Sequence, residues 1–600
     1  MQNRVSGILK TLTFKGDNNS SHLVDAIWQY KNSNGSINSS APLDFLSSDE
    51  KKALNVSDAF RTSLYKVFLF QHVARAIKSG SLNLVHSYKY RSMDSYLINK
   101  NGWLQEKDQL LERAGMTNFA NSKPLLQELE KKLYEQFVAT NNNISSGSNP
   151  HIKFSTDSKY SIHTPRQEVI LSELFSPLLP VKNFIPLAEI LATVNSQTRF
   201  TKELQHWQQQ YNRDKAVSVM FAGIIGLGCA IGVRKMARIS RQMGEEELDN
   251  AVNWHLSLEN IRSANDCVVR YMDTLELPNI YRRSLDSLHT ASDGQKFEVP
   301  VDSLNANYSF KYFGKGQGVS VYTFVDERNL LWHSLVFSAA ERESAYVIDG
   351  LMRNDVVKSD IHSTDTHGYS EVIFAVTYLL GFSFAPRIKN LKKQVLSIFK
   401  STDYKCYDEW PIKPSKTINE DLIEEHWDEI LRLVVTIKLK ENTASDIFRR
   451  LNSYSKQHKL YAALKAFGRI IKSIFIMQYI DDVELRQAIE KQLNRIELAN
   501  RFTRAVAVGN PREFTNGEKE EQEIAESCNR LIKNSIICWN YMYLEKKLQK
   551  SDSQEQDVLM HAIKTHSPMS WAHINMLGEY DFSEEKMKDS YEILPTKIIV

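Results

Sequence analysis

Two aspartates that follow strand-like segments are the residues of this sequence best suited to chemistry. Asp365 ends the alternating, β-branched segment Ser359–Asp365, and an apolar run predicted to be helical begins at Val372. Asp365 should therefore lie at the carboxyl end of a strand, where open α/β sheets bind their ligands. Asp293 ends an earlier segment, His289–Asp293, which opens a series of predicted strands. We expect both aspartates to belong to one sheet.

A pair of strand-borne aspartates, joined by a third carboxylate from a later helix, would suit phosphoryl transfer assisted by Mg²⁺. Hard divalent ions take carboxylate oxygens, and two such ions about 3.5–4 Å apart stabilise both the attacking and the leaving oxygen. The alternative is that each aspartate simply forms a turn. With 72 acidic residues in the chain, spacing alone does not decide between these interpretations.

Basic residues are concentrated in three segments that could contact nucleic-acid phosphates. The first interleaves lysine and arginine with tyrosine, the second follows a long apolar stretch, and the third, residues 382–400, contains no acidic residue. An ordinary solvated surface is the alternative for each segment. The candidate contact residues are Lys89, Arg91, Arg234, Lys235, Arg387, Lys389, Lys392 and Lys393.

Composition limits the classes of protein to which this chain can belong. Its 600 residues predict two to four domains, and 42% hydrophobic with 24% charged residues is typical of globular proteins. A formal charge of +3 excludes a polycation, so any nucleic-acid surface must be a local patch. The five cysteines form no CxxC pair, which argues against a zinc site or a disulfide framework and favours a reducing cytosol.

The elements that must position the aspartates change in type along the chain. Helical patterns dominate from residue 58 to residue 286, and short aromatic or β-branched segments then predict strands at His289–Asp293, Tyr308–Phe313, Val319–Val325 and Leu331–Phe337. Helical patterns return after residue 420. The uncharged stretch Ala216–Val233 just reaches the length of a membrane span, but its four glycines favour a buried, glycine-interrupted helix instead.

Six blocks of this sequence, in this order, resemble the signature blocks of the large replicative transposases of the Tn3 (Tn-three) family. The resemblance covers about Leu82 to the C-terminus and is strongest from Leu288 onward. Together the blocks are highly specific. They are His289–Gln295, Ser363–Gly368, Phe382–Ile388, His426–Leu433, Leu493–Glu497 and Trp571–Asn575.

The resemblance implies a ribonuclease H-like catalytic domain with an Asp-Asp-Glu triad. Carried over block by block, the triad is Asp293, Asp365 and Glu497, which would serve both as catalytic residues and as metal ligands. The alternative for Glu497 is a surface pair with Arg501, and other candidates for the third carboxylate are Glu513 and Glu523. We expect His362 and His367 to shape the turn at Asp365 or contact phosphate rather than bind a transition metal.

The predicted fold class is α/β plus all-α, with a ribonuclease H-like mixed sheet, a helical insertion and a preceding helical scaffold. We expect four regions: a poorly patterned segment 1–57, a mainly helical, DNA-contacting region 58–286, a catalytic domain 287–512 with an insertion at about 385–480, and a helical region 513–600.

The resemblance implies a DNA transposase that performs Mg²⁺-dependent 3′-end cleavage and strand transfer in replicative transposition. The expected cofactor is Mg²⁺, as two ions, with Mn²⁺ as a substitute. The expected partners are terminal inverted repeats, target DNA and a second copy of the chain, in the bacterial cytoplasm at the nucleoid, with neither a membrane nor a small-molecule substrate. Family members extend further on the N-terminal side, so the alternative is a truncated, non-catalytic DNA-binding remnant that regulates a full-length relative.

Overall fold

The computed structural model describes most of the chain. The described residues are 2–16, 20–56, 59–87, 90–154, 160–166, 178–180, 184–206, 208, 216–241, 243–354, 356–366, 368–400, 409–452 and 458–593. Lys89 and His367 lie outside these residues.

Helices account for most of the regular structure within the described residues. In chain order they are α1 Gln2–Thr11, α2 Ser21–Asn32, α3 Ser48–Leu54, α4 Thr62–Ser79, α5 Lys100–Arg113, α6 Ser122–Ser145, α7 Leu187–Thr198, α8 Val217–Gly228, α9 Val233–Ile239, α10 Glu245–His255, α11 Leu258–Asp273, α12 Phe310–Phe313, α13 Ser344–Met352, α14 Glu371–Leu380, α15 Glu420–Glu425, α16 Trp427–Lys438, α17 Ala444–Leu451, α18 Lys459–Asp481, α19 Val483–Val506, α20 Lys519–Lys550 and α21 Ser553–Thr565.

Most strands are short, and the long ones belong to one sheet. In chain order they are β1 Phe14–Gly16, β2 Asn55–Val56, β3 Ala59–Phe60, β4 Leu82–Leu84, β5 Ile152–Phe154, β6 Tyr160–Ile162, β7 Ile185–Pro186, β8 His289–Glu298, β9 Asn307–Tyr308, β10 Gln317–Asp326, β11 His333–Ser338, β12 Ile361–Thr364, β13 Ser383–Phe384, β14 Ser397–Ile398, β15 Lys416–Thr417 and β16 Ile574–Asn575.

The main sheet is mixed and has the strand order β11-β10-β8-β12-β13, with β9 paired to β10. Strand β10 is antiparallel to both β8 and β11, whereas β12 is parallel to β8 and β13 is parallel to β12. Strand β10 is buried along almost its whole length, as expected for a strand covered on both faces. Helices α13, α19 and α20 contact this sheet. The protein is therefore a mixed α/β structure with a large helical part.

The chain divides by packing into two units. The first comprises Met1–Asn141, Ser370–Leu380 and Val395–Ile474, and the second comprises Asn142–Tyr369, Gly381–Gln394 and Phe475–Val600. The main sheet lies in the second unit. The four predicted regions remain predictions, because this division follows packing and not chain order.

Residues 1–57 contain more structure than their sequence pattern indicated. Helices α1 to α3 lie in this segment, and Leu9, Leu23 and Leu54 are buried in one apolar cluster with Tyr65 of α4. These helices are short, so each presents too few apolar positions for a clear helical period.

The strand predicted at Tyr308–Phe313 is mostly wrong. Strand β9 ends at Tyr308, and Phe310–Phe313 form the single helical turn α12. Tyr308 and Phe310 are strongly exposed, so these aromatic side chains lack the cross-strand packing that gives aromatic residues their strand preference.

The apolar stretch after Ala216 forms a buried helix, as predicted. Helix α8 ends at Gly228, and α9 begins after Gly232, whose φ of +82° is a left-handed value that favours glycine. A Cβ atom at Gly228 would lie 2.8 Å from the backbone nitrogen of Asn529, so this glycine permits close packing of α8 on α20. Among the described residues, no helix is long and apolar enough to cross a membrane.

Candidate metal centre

Two adjacent parallel strands bring the predicted aspartates together. The register of β12 on β8 pairs Thr364 with Ser292, so Asp365 and Asp293 are the next residues on the two strands. Asp365 directly follows the end of β12, as predicted. Asp293 lies inside β8 rather than at its end, because β8 continues through Gly294 to Glu298.

Glu343 completes a cluster of three carboxylates, and the sequence interpretation missed it. Ligand oxygens of Asp293, Glu343 and Asp365 all lie within 4.8 Å of one another, and all three residues are partly buried. Glu343 precedes the first residue of α13. A Cβ atom at Gly294 would clash with Oε1 of Glu343, so the glycine after Asp293 makes room for this carboxylate. That glycine within a strand-like segment was the available signal of a close approach.

The crowding of negative charge changes the protonation of Asp293. Burial, followed by the charges of Glu343 and Asp365, raises the pKa of Asp293 to about 7, and the charge of Glu497 adds a smaller effect. A carboxyl group with this pKa retains its proton near neutral pH unless a cation replaces it. The electrostatics of the cluster therefore favour cation binding.

Two neighbouring side chains hold these carboxylates in place. The Asn500 side-chain amide donates a hydrogen bond to Oδ2 of Asp293 at 3.0 Å. The Lys296 ammonium donates to Oε1 of Glu343 at 2.6 Å and also to the Ser320 hydroxyl. A cation of the protein itself thus already neutralises part of the charge of Glu343.

Helix α19 brings Glu497 toward the cluster. Glu497 and Asn500 are three residues apart on α19, and residues at this spacing share one face of a helix. Because Asn500 contacts Asp293 and the charge of Glu497 contributes to its raised pKa, this face is directed at the aspartates. The Glu497 side chain is exposed and lies outside the compact cluster of three.

Buried hydrogen bonds fix the register of β8 and β12. His362 is fully buried between the hydroxyl groups of Thr290 and Ser292, each 2.8 Å from one of its ring nitrogens. Burial lowers the pKa of His362 to about 3, so its ring is neutral. Nε2 of His289 lies 2.7 Å from the Ser363 hydroxyl, which gives a further side-chain hydrogen bond between β8 and β12. The expectation that His362 shapes the turn or contacts phosphate is therefore wrong, because its ring lies inside the sheet.

The donor set of this cluster suits a hard divalent cation. Three carboxylates with oxygens close enough to share one ion match the oxygen preference of Mg²⁺ and Mn²⁺. The raised pKa of Asp293 and the lysine beside Glu343 are further signs of a site with excess negative charge. Asp293, Glu343 and Asp365 are the residues that fit such an ion.

Comparison with known proteins identifies the family. The family model described as "Tn3 transposase DDE domain" matches residues 189–580, which include the main sheet, all three carboxylates of the cluster and Glu497. The chain belongs to this Tn3 transposase family.

Curated relatives cover nearly all of this chain. The transposase for transposon Tn1546 of Enterococcus faecium is 28% identical over 98% of this chain. The transposase for transposon gamma-delta of Escherichia coli strain K12 is 26% identical over 96%, and that for Tn501 of Pseudomonas aeruginosa is 27% identical over 93%. The aligned regions span 59%, 58% and 56% of these three relatives, respectively.

One of the predicted basic segments in this Tn3-family chain borders the carboxylate cluster. The backbone nitrogen of Arg387 donates to the Thr364 carbonyl at 2.9 Å, next to Asp365. Lys389, Lys392 and Lys393 follow Arg387, and all three are exposed.

The other predicted DNA contacts lie elsewhere. Arg234 and Lys235 are exposed on α9, and Arg234 pairs with Glu245 at 3.3 Å. Arg91 lies in the first unit, where its guanidinium carbon is 4.2 Å from the centre of the Tyr96 ring. Lys89 lies outside the described residues.

The two other candidate carboxylates lie away from the cluster. Glu523 pairs with Arg262 at 3.7 Å and with Lys519 at 3.9 Å. Glu513 lies beside Glu298, five residues along β8 from Asp293 and hence roughly 17 Å away at the usual rise of a strand. Neither position supports a role as the third carboxylate.

Proposed function

We propose that this chain is a DNA transposase that cleaves 3′ ends and transfers the resulting strands in a divalent-metal-dependent reaction. The observation that carries the proposal is the cluster of Asp293, Glu343 and Asp365 in a chain of the Tn3 transposase family. Carboxylate oxygens at this spacing are what phosphoryl transfer on DNA requires from a protein.

The residues around the cluster have separate roles in this proposal. A bound divalent ion would stabilise the charge that develops on the phosphate and lower the pKa of the attacking hydroxyl. Asp293 and Asp365 would hold that ion and Glu343 would assist them, while Asn500 orients Asp293 through its amide. Glu497 supplies the third carboxylate of the Asp-Asp-Glu set from α19. Its charge already affects Asp293, which supports this assignment.

We further propose that the main sheet is ribonuclease H-like. The support is its strand order, with β8 in the centre between antiparallel β10 and parallel β12. This arrangement explains why the two aspartates, far apart in sequence, become neighbours.

The proposed cofactor is Mg²⁺, bound as two ions, with Mn²⁺ as a substitute. The proposed substrates are the terminal inverted repeats of a transposon and its target DNA, and the proposed assembly is a homodimer in the bacterial cytoplasm at the nucleoid. Arg387, Lys389, Lys392 and Lys393 support DNA binding beside the cluster, because they place positive charge along the segment that borders Asp365.

A cleavage assay with the full chain tests this proposal. The protein is incubated with a labelled duplex that carries a transposon end, with MgCl₂, MnCl₂ or EDTA, and the 3′-end products are resolved. The wild-type protein should cleave only with a divalent ion, and Asp365→Asn should lower the cleavage rate by about a thousandfold or more, as loss of a group that acts on the reacting centre does.

Glu343→Gln and Glu497→Gln rank the two glutamates in the same assay. If both are ligands, both variants lose cleavage but retain DNA binding; if Glu497 is not, its variant cleaves like the wild type. Binding of DNA by the wild-type chain without cleavage under any metal condition would favour a non-catalytic DNA-binding protein and refute the proposed activity.

The basic segment has its own test. Replacing Lys389, Lys392 and Lys393 with glutamine should make DNA binding less dependent on salt. The slope of the logarithm of the DNA-binding constant against the logarithm of salt concentration should become less steep by about 3, roughly 0.9 for each phosphate that is no longer neutralised. Arg234→Gln/Lys235→Gln is the matched comparison on α9, where an acidic partner already contacts Arg234. Equal effects of the two variants would contradict the preference for the segment beside Asp365.

A further inference from the structure

A cavity of about 340 Å³ in the second unit has three arginines among its seven lining residues. Arg262 comes from α11, Arg353 directly follows α13, and Arg530 comes from α20. The lining carries three guanidinium groups and one carboxylate, that of Asp266. The lining thus carries an excess of positive charge, although Glu523 pairs with Arg262 and Glu526 acts on Arg530 from outside it.

Three buried side-chain atoms of the lining residues have no hydrogen-bond partner among the described residues. They are Nε of Arg530, the indole nitrogen of Trp332 and Nε2 of His333. Arg530 and Trp332 are each only 2% exposed. Nε of Arg530 and the indole nitrogen of Trp332 are donors, and a buried donor without a partner costs about 1–3 kcal/mol. A ligand that accepts hydrogen bonds from these residues would offset part of that cost.

The groups near the cavity include a neutral histidine and two glutamates. Burial and then the charges of Arg530, Arg262 and Arg353 lower the pKa of His333 well below its ordinary value, so its ring adds no charge of its own. Glu523 pairs with Arg262, and Glu526 accepts from the Ser334 hydroxyl. Neither glutamate belongs to the cavity lining.

Three lining arginines suit an anion with more than two acceptor oxygens, such as a phosphate. Guanidinium groups present planar pairs of N–H donors that match the oxygens of a phosphate, and three of them approach from three different elements. The cavity begins at β11, two strands from β8, which corresponds to roughly 10 Å at the usual strand spacing. A phosphate of bound DNA and a free phosphate ligand are both of suitable chemistry.

We propose that the cavity between α11, β11, α13 and α20 is a binding site for a phosphate group, supplied by the DNA backbone or by a free phosphate-bearing molecule. The site is separate from the carboxylate cluster and does not depend on the activity proposed above.

Calorimetric titration of the full chain with inorganic phosphate, in metal-free buffer at constant ionic strength, tests the site. The wild-type protein should bind phosphate, and Arg353→Gln and Arg262→Gln should each weaken binding by about tenfold or more, the effect of one charge-assisted hydrogen bond. Arg353 is exposed, so its replacement leaves the buried packing intact. Arg270→Gln, on the exposed side of the same helix as Arg262, is the matched control and should bind like the wild type.

A DNA-binding assay distinguishes the two sources of phosphate. If the site holds a DNA phosphate, Arg353→Gln should lower the salt slope of DNA binding by about 0.9, and inorganic phosphate should compete with DNA. If the ligand is free, the slope stays unchanged while phosphate affinity falls. Two results of the phosphate titration would overturn the proposal if the salt slope of DNA binding is also unchanged in Arg353→Gln. One is that the wild type does not bind phosphate. The other is that Arg353→Gln, Arg262→Gln and Arg270→Gln all bind it equally.

Discussion

Replacing Asp293 with asparagine should stabilise the metal-free protein, and the gain should grow with pH. Burial and the charges of Glu343 and Asp365 raise the pKa of Asp293 from 3.8 to about 7, so the ionised carboxylate opposes folding. At about 1.4 kcal/mol for each pKa unit, the ionised Asp293 lowers the free energy of unfolding by at most about 4 kcal/mol above pH 7. Asparagine removes the charge and keeps an oxygen that can accept the hydrogen bond from the Asn500 amide.

The pH range of this effect follows from the two pKa values of Asp293. Below pH 3.8 the carboxyl is protonated in both the folded and the unfolded chain, and the free energy of unfolding is unaffected. Between pH 3.8 and 7 the unfolded chain loses its proton first, so the stability of the wild type falls as pH rises. From pH 5 to pH 8 the variant should therefore gain about 3 kcal/mol relative to the wild type.

Thermal denaturation in EDTA across this pH range measures the gain. For a unit of this size, each kcal/mol of change in the free energy of unfolding shifts the Tm by about 1–2 °C. The difference in Tm between variant and wild type should therefore widen by about 3–6 °C between pH 5 and pH 8. Mg²⁺ at pH 8 should raise the Tm of the wild type and leave that of the variant nearly unchanged. Asp302→Asn, at an exposed position of the same unit, is the control. A Tm difference that stays constant with pH would show that Asp293 titrates as an ordinary aspartate and that the carboxylates are not crowded as described.

Three further substitutions test the packing around the site. Gly294→Ala places a Cβ atom against Oε1 of Glu343, so it should cost about 1–3 kcal/mol and weaken stabilisation by Mg²⁺. Gly102→Ala, in helix α5 with no atom within 4 Å, should not lower the urea midpoint, because alanine favours a helix more than glycine does. Gly350→Ala drives Cβ into the Phe324 ring of β10 and should cost about 1–3 kcal/mol in urea denaturation without altering the response to Mg²⁺. His362→Phe should cost about 2 kcal/mol more at pH 8 than at pH 5, because the buried ring has a pKa of about 3 and stays neutral while the unfolded chain binds a proton below pH 6.5. An equal cost at both pH values would contradict the buried, neutral ring.

Local patterns predicted the order of elements around the two aspartates well. The predicted strand at Val319–Val325 lies inside β10, and the helix predicted from Val372 to Leu380 is α14 to within one residue. These segments succeed because their apolar periodicity is strong and the side chains that create it are buried. Asp365 was placed at a strand end on a different signal, the alternation and β-branched residues of Ser359–Asp365.

Local sequence patterns did not predict the full length of β8 or the helical turn α12 before β10. Gly294 interrupts the apolar alternation, so the local pattern predicts a strand end at Asp293, whereas the pairing of β8 with β10 continues to Glu298. The aromatic residues of α12 suggest a strand, although none of them is buried. In both places the pairing partner, and not the residue's own preference, decides the local structure.

The sequence alone was enough to predict three candidate carboxylates, Asp365 from the strand that leads to it and Asp293 and Glu497 from the ordered blocks. Only the tertiary structure showed that Glu343 joins the aspartates, that Asn500 contacts Asp293 and that three arginines share one cavity. The physical reason is that these groups lie far apart along the chain, where no periodicity connects them. They meet because strand register and helix packing bring them together, and burial at that meeting point raises the pKa of Asp293.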